Sequence, residues 1–159
     1  MKLLFGSFAV VVFLLSIQLV NAEMLFNRNA DVPTLTTSQV QALQIDGENV
    51  GQFVLVDVRS KAETDVSIIP GAITKEEFER TKQRHQGEIV IAYCTIGHRS
   101  GNYARKLKQS GWDAWNYKGS ILDWCKNKLP VVTQAGQSTQ KVHTYNANYQ
   151  LAEGYQAVY

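Results

Sequence analysis

The sequence predicts an α/β fold, a doubly wound and mainly parallel sheet flanked by helices. Two apolar runs, at residues 53–58 and 89–93, are rich in β-branched residues and nearly continuous. Strands of this kind are buried on both faces, as in parallel sheets that helices cover. A weaker strand is expected at residues 113–117. Helical patterns separate the strands, and this alternation is typical of the α/β class.

Four helices are predicted from N-cap residues followed by apolar faces with helical spacing. Two of the starts are interpreted as capping boxes, in which the cap side chain accepts a hydrogen bond from the helix backbone. One helix is expected to end at Gly111, because glycine readily adopts the left-handed conformation that closes helices. The predicted spans are 36–43, 74–85, 100–111 and a segment that begins at Ser120, with capping boxes at Thr74 and Ser120.

Residues 1–22 are predicted to be a secretory signal. Lys2 precedes a long apolar stretch, and a small-residue cleavage motif ends at Ala22. The alternative is a retained membrane anchor, because the stretch approaches the length of a spanning helix. Cleavage after Ala22 predicts a periplasmic or secreted protein, with membrane contact only if the signal is uncleaved. Residues 23–35 are interpreted as a lead-in to the domain.

The charge of the chain is close to balanced, with 16 Lys and Arg residues against 14 Asp and Glu residues. This balance gives no reason to expect a nucleic acid partner or binding to an anionic membrane surface. The chain has three histidines, and none lies in a metal-ligand pattern, so no metal site is predicted.

The strongest chemical signal is the loop at residues 94–99. Cys94 directly follows a predicted buried strand, and ligands of open α/β sheets bind at this carboxyl edge. Gly97 permits a backbone conformation in which successive N–H groups converge on an anion. The following helix start and the Arg99 cation also favour the thiolate, which is the reactive form of cysteine. Cys94 is therefore predicted to be a nucleophile with a lowered pKa rather than an inert buried thiol.

Several motifs, in a consistent order, resemble those of the rhodanese family. They are a first buried strand (54–59), a proline-glycine turn (69–73), a strand with its loop (89–99), a helix end (110–112) and a glycine-serine turn (119–124). The resemblance covers residues 36–130, which are assigned to one rhodanese-like domain. Residues 131–159 remain as a C-terminal extension, expected to form an extended arm.

The resemblance implies a sulfurtransferase of the thiosulfate type, and together with the predicted signal at residues 1–22 it predicts an exported one. Catalytic Cys94 would take sulfane sulfur from a thiosulfate-like donor as a persulfide and pass it to a thiol or cyanide-like acceptor. A protein sulfur acceptor is also considered, and no dissociable cofactor is expected. Asp57 and Arg59 are expected to form a supporting polar pair. The predicted substrate-binding residues are Thr95, Ile96, Gly97, His98, Arg99 and Ser100, with Arg99 helping to hold an anionic donor.

Two other functions remain open. A sulfur-relay or redox binding module with little activity on thiosulfate would use the extension and Cys125. A phosphatase or arsenate reductase is less well supported. Four residues separate Cys94 from Arg99, as in the sulfur-transferring members that this chain resembles, whereas related phosphatase loops are one residue longer.

Three features depart from the family pattern or lie outside it. Ser67 and Ile68 stand where the family often has glycine and histidine. Cys125 is expected to fill space in the core, and the alternative is a disulfide partnership with Cys94. The extension alternates in character over residues 142–151 and is interpreted as a strand that covers a sheet edge. Its tyrosines could instead cover the active-site mouth or bind another subunit.

Overall fold

A five-stranded sheet forms the centre of the computed structural model, which describes residues 32–45 and 51–159. Its strands are β1 (Thr34–Leu35), β2 (Phe53–Asp57), β3 (Ile73–Thr74), β4 (Ile89–Tyr93) and β5 (Ala114–Tyr117). Their order is β1-β5-β4-β2-β3, and every neighbouring pair is parallel. The register of β2 and β4 sets Asp57 beside Tyr93, so both strands end at the same edge. The predicted parallel sheet is confirmed.

Helices cover both faces of this sheet. They are α1 (Thr37–Ile45), α2 (Lys61–Thr64), α3 (Lys75–Thr81), α4 (His98–Gln109) and α5 (Ser120–Lys126), and a 3₁₀ turn, Lys82–His85, continues α3. Leu55 and Ile91 pack on one face with side chains of α1 and α5. Val54 and Val90 pack on the other face with side chains of α3 and α4. Because both faces are buried, β2 and β4 are continuously apolar rather than alternating.

The predicted helix caps at Thr36 and Thr74 are present. The hydroxyl oxygen of Thr74 accepts a hydrogen bond from the backbone N–H of Glu77, at 3.1 Å. Thr36 accepts one from the N–H of Gln39, whose side chain accepts the N–H of Thr36 in return. The bonds are reciprocal at Thr36, whereas the predicted capping box at Thr74 is shown only by the bond from Glu77. Each bond satisfies a backbone donor at the start of a helix.

Two predicted helix starts are wrong. Helix α4 begins at His98 rather than Ser100, with Gly97 as its N-cap residue. Ser120 does not cap α5, because its hydroxyl is used elsewhere: it accepts a hydrogen bond from the backbone N–H of Cys94. The N-cap of α5 is Gly119. Both errors lie beside the 94–99 loop, where long-range contacts override local capping preferences.

The C-terminal segment, residues 131–159, contributes buried side chains to the core. It forms two separate two-stranded sheets: β6 (Val131–Val132) with β7 (Ser138–Thr139), and β8 (Lys141–His143) with β9 (Gln156–Val158). Val131 and Val142 are buried against the cluster that lies under α1 and α5. The expected strand on an edge of the main sheet is therefore wrong. Tyr145 has a φ of +72°, which breaks the extended conformation that the alternating pattern suggested.

No helix within residues 32–45 and 51–159 is long and apolar enough to cross a membrane. The predicted signal at residues 1–22 and most of the lead-in at 23–35 lie outside the described residues. Export therefore stays a prediction.

Candidate active site

Cys94 lies at the carboxyl end of β4, at the bottom of a pocket of about 230 Å³. Its side chain is almost completely buried, and the sulfur faces the short turn that leads into α4. The residues that line the pocket are Cys94, Thr95, Ile96, His98, Arg99, Tyr145 and Tyr149. A thiol in this position is sheltered from bulk solvent but open to a small reactant.

Hydrogen-bond donors surround the sulfur of Cys94. The backbone N–H of Gly97 lies 3.2 Å from Sγ, and the hydroxyl of Ser100 lies 3.5 Å from it. The Ser100 hydroxyl is also 2.7 Å from Oδ1 of Asn116, so its single proton is shared between two acceptors. A charged sulfur attracts that proton more strongly than a neutral thiol does. The arrangement therefore favours the thiolate.

The pKa of Cys94 reflects two opposing effects. Burial raises the pKa of the thiol, because the charged form loses solvation. The hydrogen bond from the Ser100 hydroxyl and those from the backbone N–H groups of Ser100, Ile96 and Gly97 lower it by more, so the net pKa lies below the ordinary value. A lowered pKa agrees with the prediction made from the turn and the helix start.

Close packing of two backbone segments shapes the turn. Gly97 has a φ of +88°, and a Cβ atom there would lie 2.2 Å from the carbonyl oxygen of Lys118. Only glycine fits this position without moving the backbone. The N–H groups of Ile121 and Leu122, at the start of α5, donate to the carbonyls of Cys94 and Thr95. Because these carbonyls are hydrogen-bonded to α5, the N–H groups of the loop can point toward the sulfur.

Asn116 and Ser120 reinforce the loop from β5 and α5. The side-chain amide of Asn116 donates to the carbonyl of Gly97 at 3.1 Å. The hydroxyl of Ser120 accepts from the N–H of Cys94 at 3.0 Å and donates to the carbonyl of Tyr117 at 2.9 Å. Asn116 was not among the residues predicted for the site. Ser120 was assigned to a cap, although its place in the glycine-serine turn was a usable signal.

Arg99 is bound to a carboxylate that the sequence analysis missed. Its two terminal nitrogens lie 2.8 Å and 2.7 Å from the two carboxyl oxygens of Glu63, and one also contacts Oγ1 of Thr95. Glu63 is buried. Burial raises its pKa, but hydrogen bonds from Arg99 and Ser60 lower it further, to about 2. Glu63 is thus ionised near neutral pH and compensates the positive charge that was expected to hold an anionic donor.

A local motif marks Glu63 as part of a helix cap, although not as part of the site. Ser60 and Glu63 form a capping box at the start of α2, in which the N–H of Ser60 donates to the Glu63 carboxylate at 2.9 Å. The same carboxylate accepts a hydrogen bond from Oγ1 of Thr95 at 3.1 Å. Sequence spacing reveals the cap, but not the contact with a loop more than thirty residues away.

The predicted supporting pair, Asp57 and Arg59, lies beneath the loop and does not line the pocket. The two side chains form a fully buried ion pair at 2.7 Å, and Arg59 also donates to the carbonyl of Ser67 at 2.6 Å. The Arg59 guanidinium lies 6.0 Å from the ring centroid of Tyr93, the last residue of β4. This cluster stabilises the strand ends that precede the loop. Its role is therefore structural support.

The serine that stands where the family often has glycine leaves a polar atom without a partner. Ser67 is fully buried, and its hydroxyl is the one buried side-chain polar atom in the described part of the chain that makes no hydrogen bond. Such an atom costs about 1–3 kcal/mol. Ile68, which stands where the family often has histidine, is also buried. Its backbone N–H and carbonyl are both hydrogen-bonded to Val132, so neither lacks a partner.

The remaining predicted residues have different surroundings. Ile96 and His98 are exposed and line the pocket mouth. Cys125 is a free thiol in the core cluster under α1 and α5, and burial raises its pKa to about 12. Tyr145 and Tyr149 reach the pocket from the C-terminal segment, which was one of the roles considered for its tyrosines. Within residues 32–45 and 51–159 no group of three His, Cys, Asp or Glu side chains could hold a metal ion.

The chain is similar to proteins of one family along most of its length. The family model for the rhodanese-like domain matches residues 36–127. A sulfurtransferase from Allochromatium vinosum is 30% identical over 104 residues, which cover 58% of this chain and 97% of that protein.

Solved structures share the fold. A rhodanese-like domain protein from Staphylococcus aureus is 25% identical with a TM-score of 0.51, over 58% of this chain and 91% of its own. A protein of unknown function from Rhodopseudomonas palustris, called a "possible tyrosine phosphatase", has a TM-score of 0.56 over 69% of this chain and 91% of its own. Its identity is 24%, so the likeness concerns the fold alone.

Proposed function

Because this chain belongs to the rhodanese-like domain family, we propose that it is a sulfurtransferase that carries sulfane sulfur on Cys94. The observation that supports this most strongly is the environment of Cys94, whose sulfur lies 3.2 Å from a backbone N–H and has a lowered pKa. The relationship to the sulfurtransferase of Allochromatium vinosum supports the same reaction class. The donor would be thiosulfate-like, and the acceptor a thiol or a cyanide-like nucleophile.

The proposed cycle has two displacement steps. The Cys94 thiolate attacks the outer sulfur of thiosulfate, forming a new S–S bond while sulfite leaves with the electron pair of the broken bond. The acceptor then attacks the outer sulfur of the persulfide and regenerates the thiolate. Cyanide as acceptor gives thiocyanate. Neither step requires an external oxidant, and no dissociable cofactor enters the cycle.

The loop suits both forms of Cys94 in this cycle, the thiolate and the persulfide. In the free enzyme its N–H groups stabilise the thiolate, and in the loaded enzyme they would stabilise the terminal sulfur of the persulfide. Ile96, Gly97 and Ser100 contribute to this cradle. Asp57 and Arg59 act indirectly, by supporting the strand ends.

The proposal includes export to the periplasm or the cell exterior, which is supported by the sequence of residues 1–22. The intact mass of the chain recovered from the secreted or periplasmic fraction of a native host tests it. A chain that begins after Ala22 is expected. A full-length chain confined to the cytoplasm would refute export but not sulfur transfer.

Intact mass spectrometry tests the persulfide. The reduced protein is incubated with thiosulfate or with a thiosulfonate, and then with or without cyanide. Wild type is expected to gain about 32 Da, the mass of one sulfur atom, and to lose it with cyanide. Cys94→Ser should show neither change, whereas Cys125→Ala should behave as wild type. A folded wild type that gains no sulfur from either donor would contradict the proposal.

A sulfur-relay module is the second candidate, because Ile96 and Tyr145 expose apolar surface around the pocket, 47% and 62% of their respective areas. Such surface suits a protein partner. Deleting residues 131–159 is not a clean test, because the deletion removes buried core residues. A clean test uses persulfidated albumin as a protein sulfur donor. A relay module would take sulfur from this donor much faster than from thiosulfate, whereas a thiosulfate-type sulfurtransferase would not.

A phosphatase is less well supported. The Arg99 guanidinium is bound to Glu63 and so has less charge to offer a phosphate dianion. The described lining of the pocket also contains no carboxyl group that could protonate a leaving alcohol. Hydrolysis of an aryl phosphate that is lost in Cys94→Ser would be needed to support this function.

A further inference from the structure

One wall of the Cys94 pocket is built by residues outside the family match. Tyr145 and Tyr149 line the pocket but lie beyond residues 36–127. Ile96 lines it from the loop itself. Three large hydrophobic side chains are markedly exposed in the described part of the chain, and two of them, Ile96 and Tyr145, lie at this mouth. The entrance to the thiol is therefore aromatic and aliphatic.

The surrounding structure holds Tyr145 in this position. Its ring lies 5.3 Å from the guanidinium carbon of Arg99, within the range of a cation–π contact. Its φ of +72° is costly for a tyrosine, and its N–H donates to Nδ1 of His143 at 3.0 Å. The preceding residue, Thr144, is fully buried and donates its N–H to Val158. The wall therefore belongs to the packed structure.

The pocket has little net charge to attract a dianion. Arg99 is the one Lys or Arg residue among its described lining residues, and the Glu63 carboxylate binds the guanidinium through both oxygens. Glu63 and Arg99 together contribute no net charge. Thiosulfate, with two negative charges, would have to rely on the N–H groups of the turn.

We propose that the pocket selects sulfane sulfur carriers with an apolar organic group and at most one negative charge, such as thiosulfonates or organic persulfides, over thiosulfate. The organic group would lie between Ile96 and the tyrosines, with its sulfur directed at Cys94. This inference rests on the proposed sulfur transfer and narrows its donor class. The pocket volume of about 230 Å³ suits a small carrier better than a drug-sized ligand.

Sulfur transfer from either carrier conserves atoms and electrons. With a thiosulfonate, the Cys94 thiolate attacks the outer sulfur, the S–S bond of the donor breaks, and a sulfinate leaves with the electron pair. With an organic persulfide, R–S–SH, the same attack releases R–SH and leaves Cys94 as the persulfide anion. One S–S bond forms and one breaks in each case, so no oxidant or reductant is consumed.

Three donors separate the contributions of shape and charge. Benzenethiosulfonate and methanethiosulfonate carry the same single charge and differ in the organic group, whereas thiosulfate carries a second charge. The measurement is kcat/KM for thiocyanate formation with cyanide. Wild type is expected to prefer benzenethiosulfonate to methanethiosulfonate by about fivefold, the scale of one aromatic contact. Equal values, or faster turnover of thiosulfate than of both thiosulfonates, would overturn the inference.

Variants test whether the named residues cause the preference. Tyr145→Ala should remove most of the preference for the phenyl donor, while Tyr159→Ala, which changes an exposed tyrosine that does not line this pocket, should keep it. Glu63→Gln frees the charge of Arg99 and should raise kcat/KM for thiosulfate relative to methanethiosulfonate by about fivefold. A phenyl preference unchanged in Tyr145→Ala would refute the aromatic wall, and a thiosulfate ratio unchanged in folded Glu63→Gln would refute the role of charge.

A binding experiment distinguishes failure of this inference from failure of the proposed function. Benzenesulfinate and methanesulfinate are the leaving groups of the two thiosulfonates, and their binding to Cys94→Ser can be followed by NMR without turnover. Tighter binding of benzenesulfinate that depends on Tyr145 supports the subsite even if no persulfide ever forms. Equal binding, combined with persulfide formation in wild type, contradicts the subsite and leaves the sulfurtransferase proposal intact.

Discussion

Cys94 and Cys125 are both almost completely buried free thiols, but their pKa values shift in opposite directions. Burial raises the pKa of Cys125 to about 12, and the charge of Arg59 offsets this only in part. Burial also raises the pKa of Cys94, but hydrogen bonds from a hydroxyl and from backbone N–H groups reverse the shift. Exposure therefore does not separate a reactive cysteine from a structural one. The donors around the sulfur do.

Alkylation should give the largest difference between the two thiols. At pH 8 a thiol with the pKa of Cys125, about 12, is ionised to roughly one part in 10⁴, whereas Cys94, whose pKa lies below the ordinary thiol value, is ionised to a far larger fraction. Iodoacetamide is therefore expected to label Cys94 at least a hundredfold faster, measured by peptide mass spectrometry. Labelling of Cys94 should decline only as the pH falls below the ordinary range of a thiol. Equal labelling rates in the folded protein would contradict the comparison.

Substitution of Gly97 should give the next largest effect, because this residue directs an N–H at Cys94. Gly97→Ala should lower the free energy of unfolding by about 3 kcal/mol, from backbone strain and from overlap with Lys118. Gly87→Ala is a matched control, because Gly87 has the same φ of +88° but open space around its Cβ position. Gly87→Ala should lower the free energy of unfolding by about 1 kcal/mol. Urea unfolding measures both.

Equal costs for the two glycine variants would show that the Lys118 contact is unimportant. In that case the strain of the left-handed conformation would account for the whole effect.

Removal of a single donor should give a smaller change. Ser100→Ala takes away the hydroxyl that stabilises the thiolate, so the pKa of Cys94 should rise by about one pH unit. The midpoint of the pH dependence of alkylation measures it. Ser110→Ala, at the exposed end of the same helix, should leave the midpoint unchanged. An unchanged midpoint, or a downward shift, in Ser100→Ala would mean that the hydroxyl donates to Asn116 rather than to the thiolate.

The smallest effect is expected at Cys125. Cys125→Ala removes one buried heavy atom and should lower the free energy of unfolding by about 1 kcal/mol, with kcat/KM unchanged. Thermal unfolding and thiocyanate assays measure the two quantities. Loss of turnover, or a disulfide between Cys94 and Cys125 in the oxidised protein, would instead support a redox partnership.

The sequence predicted the local features of this molecule well. Strands β2 and β4 are evident because continuous apolar runs require burial on both faces, and Cys94 is evident because Gly97 and Arg99 follow it in a short turn. Errors arose where a side chain serves a distant residue. Ser120 has the local features of a cap but binds the backbone of Cys94.

Glu63 and Tyr145 illustrate what local patterns cannot show. Glu63 compensates the charge of Arg99 from a different helix, 36 positions away in sequence. Tyr145 reaches Arg99 from a segment that the family pattern does not include. Contacts of this kind depend on how the elements pack in three dimensions, so spacing along the chain carries no signal for them.

The packing of the C-terminal segment has a consequence for the order in which the molecule is assembled. Strands that are synthesised earlier can pair earlier, and both β2, which ends at Asp57, and β4, which Cys94 follows, precede this segment. Val142, Thr144 and the tyrosine wall are synthesised after both strands, but they are needed to bury the core and enclose the pocket. The thiol is therefore enclosed only after residues 131–159 have been synthesised, and a chain that stops before them leaves its nucleophile open to oxidation.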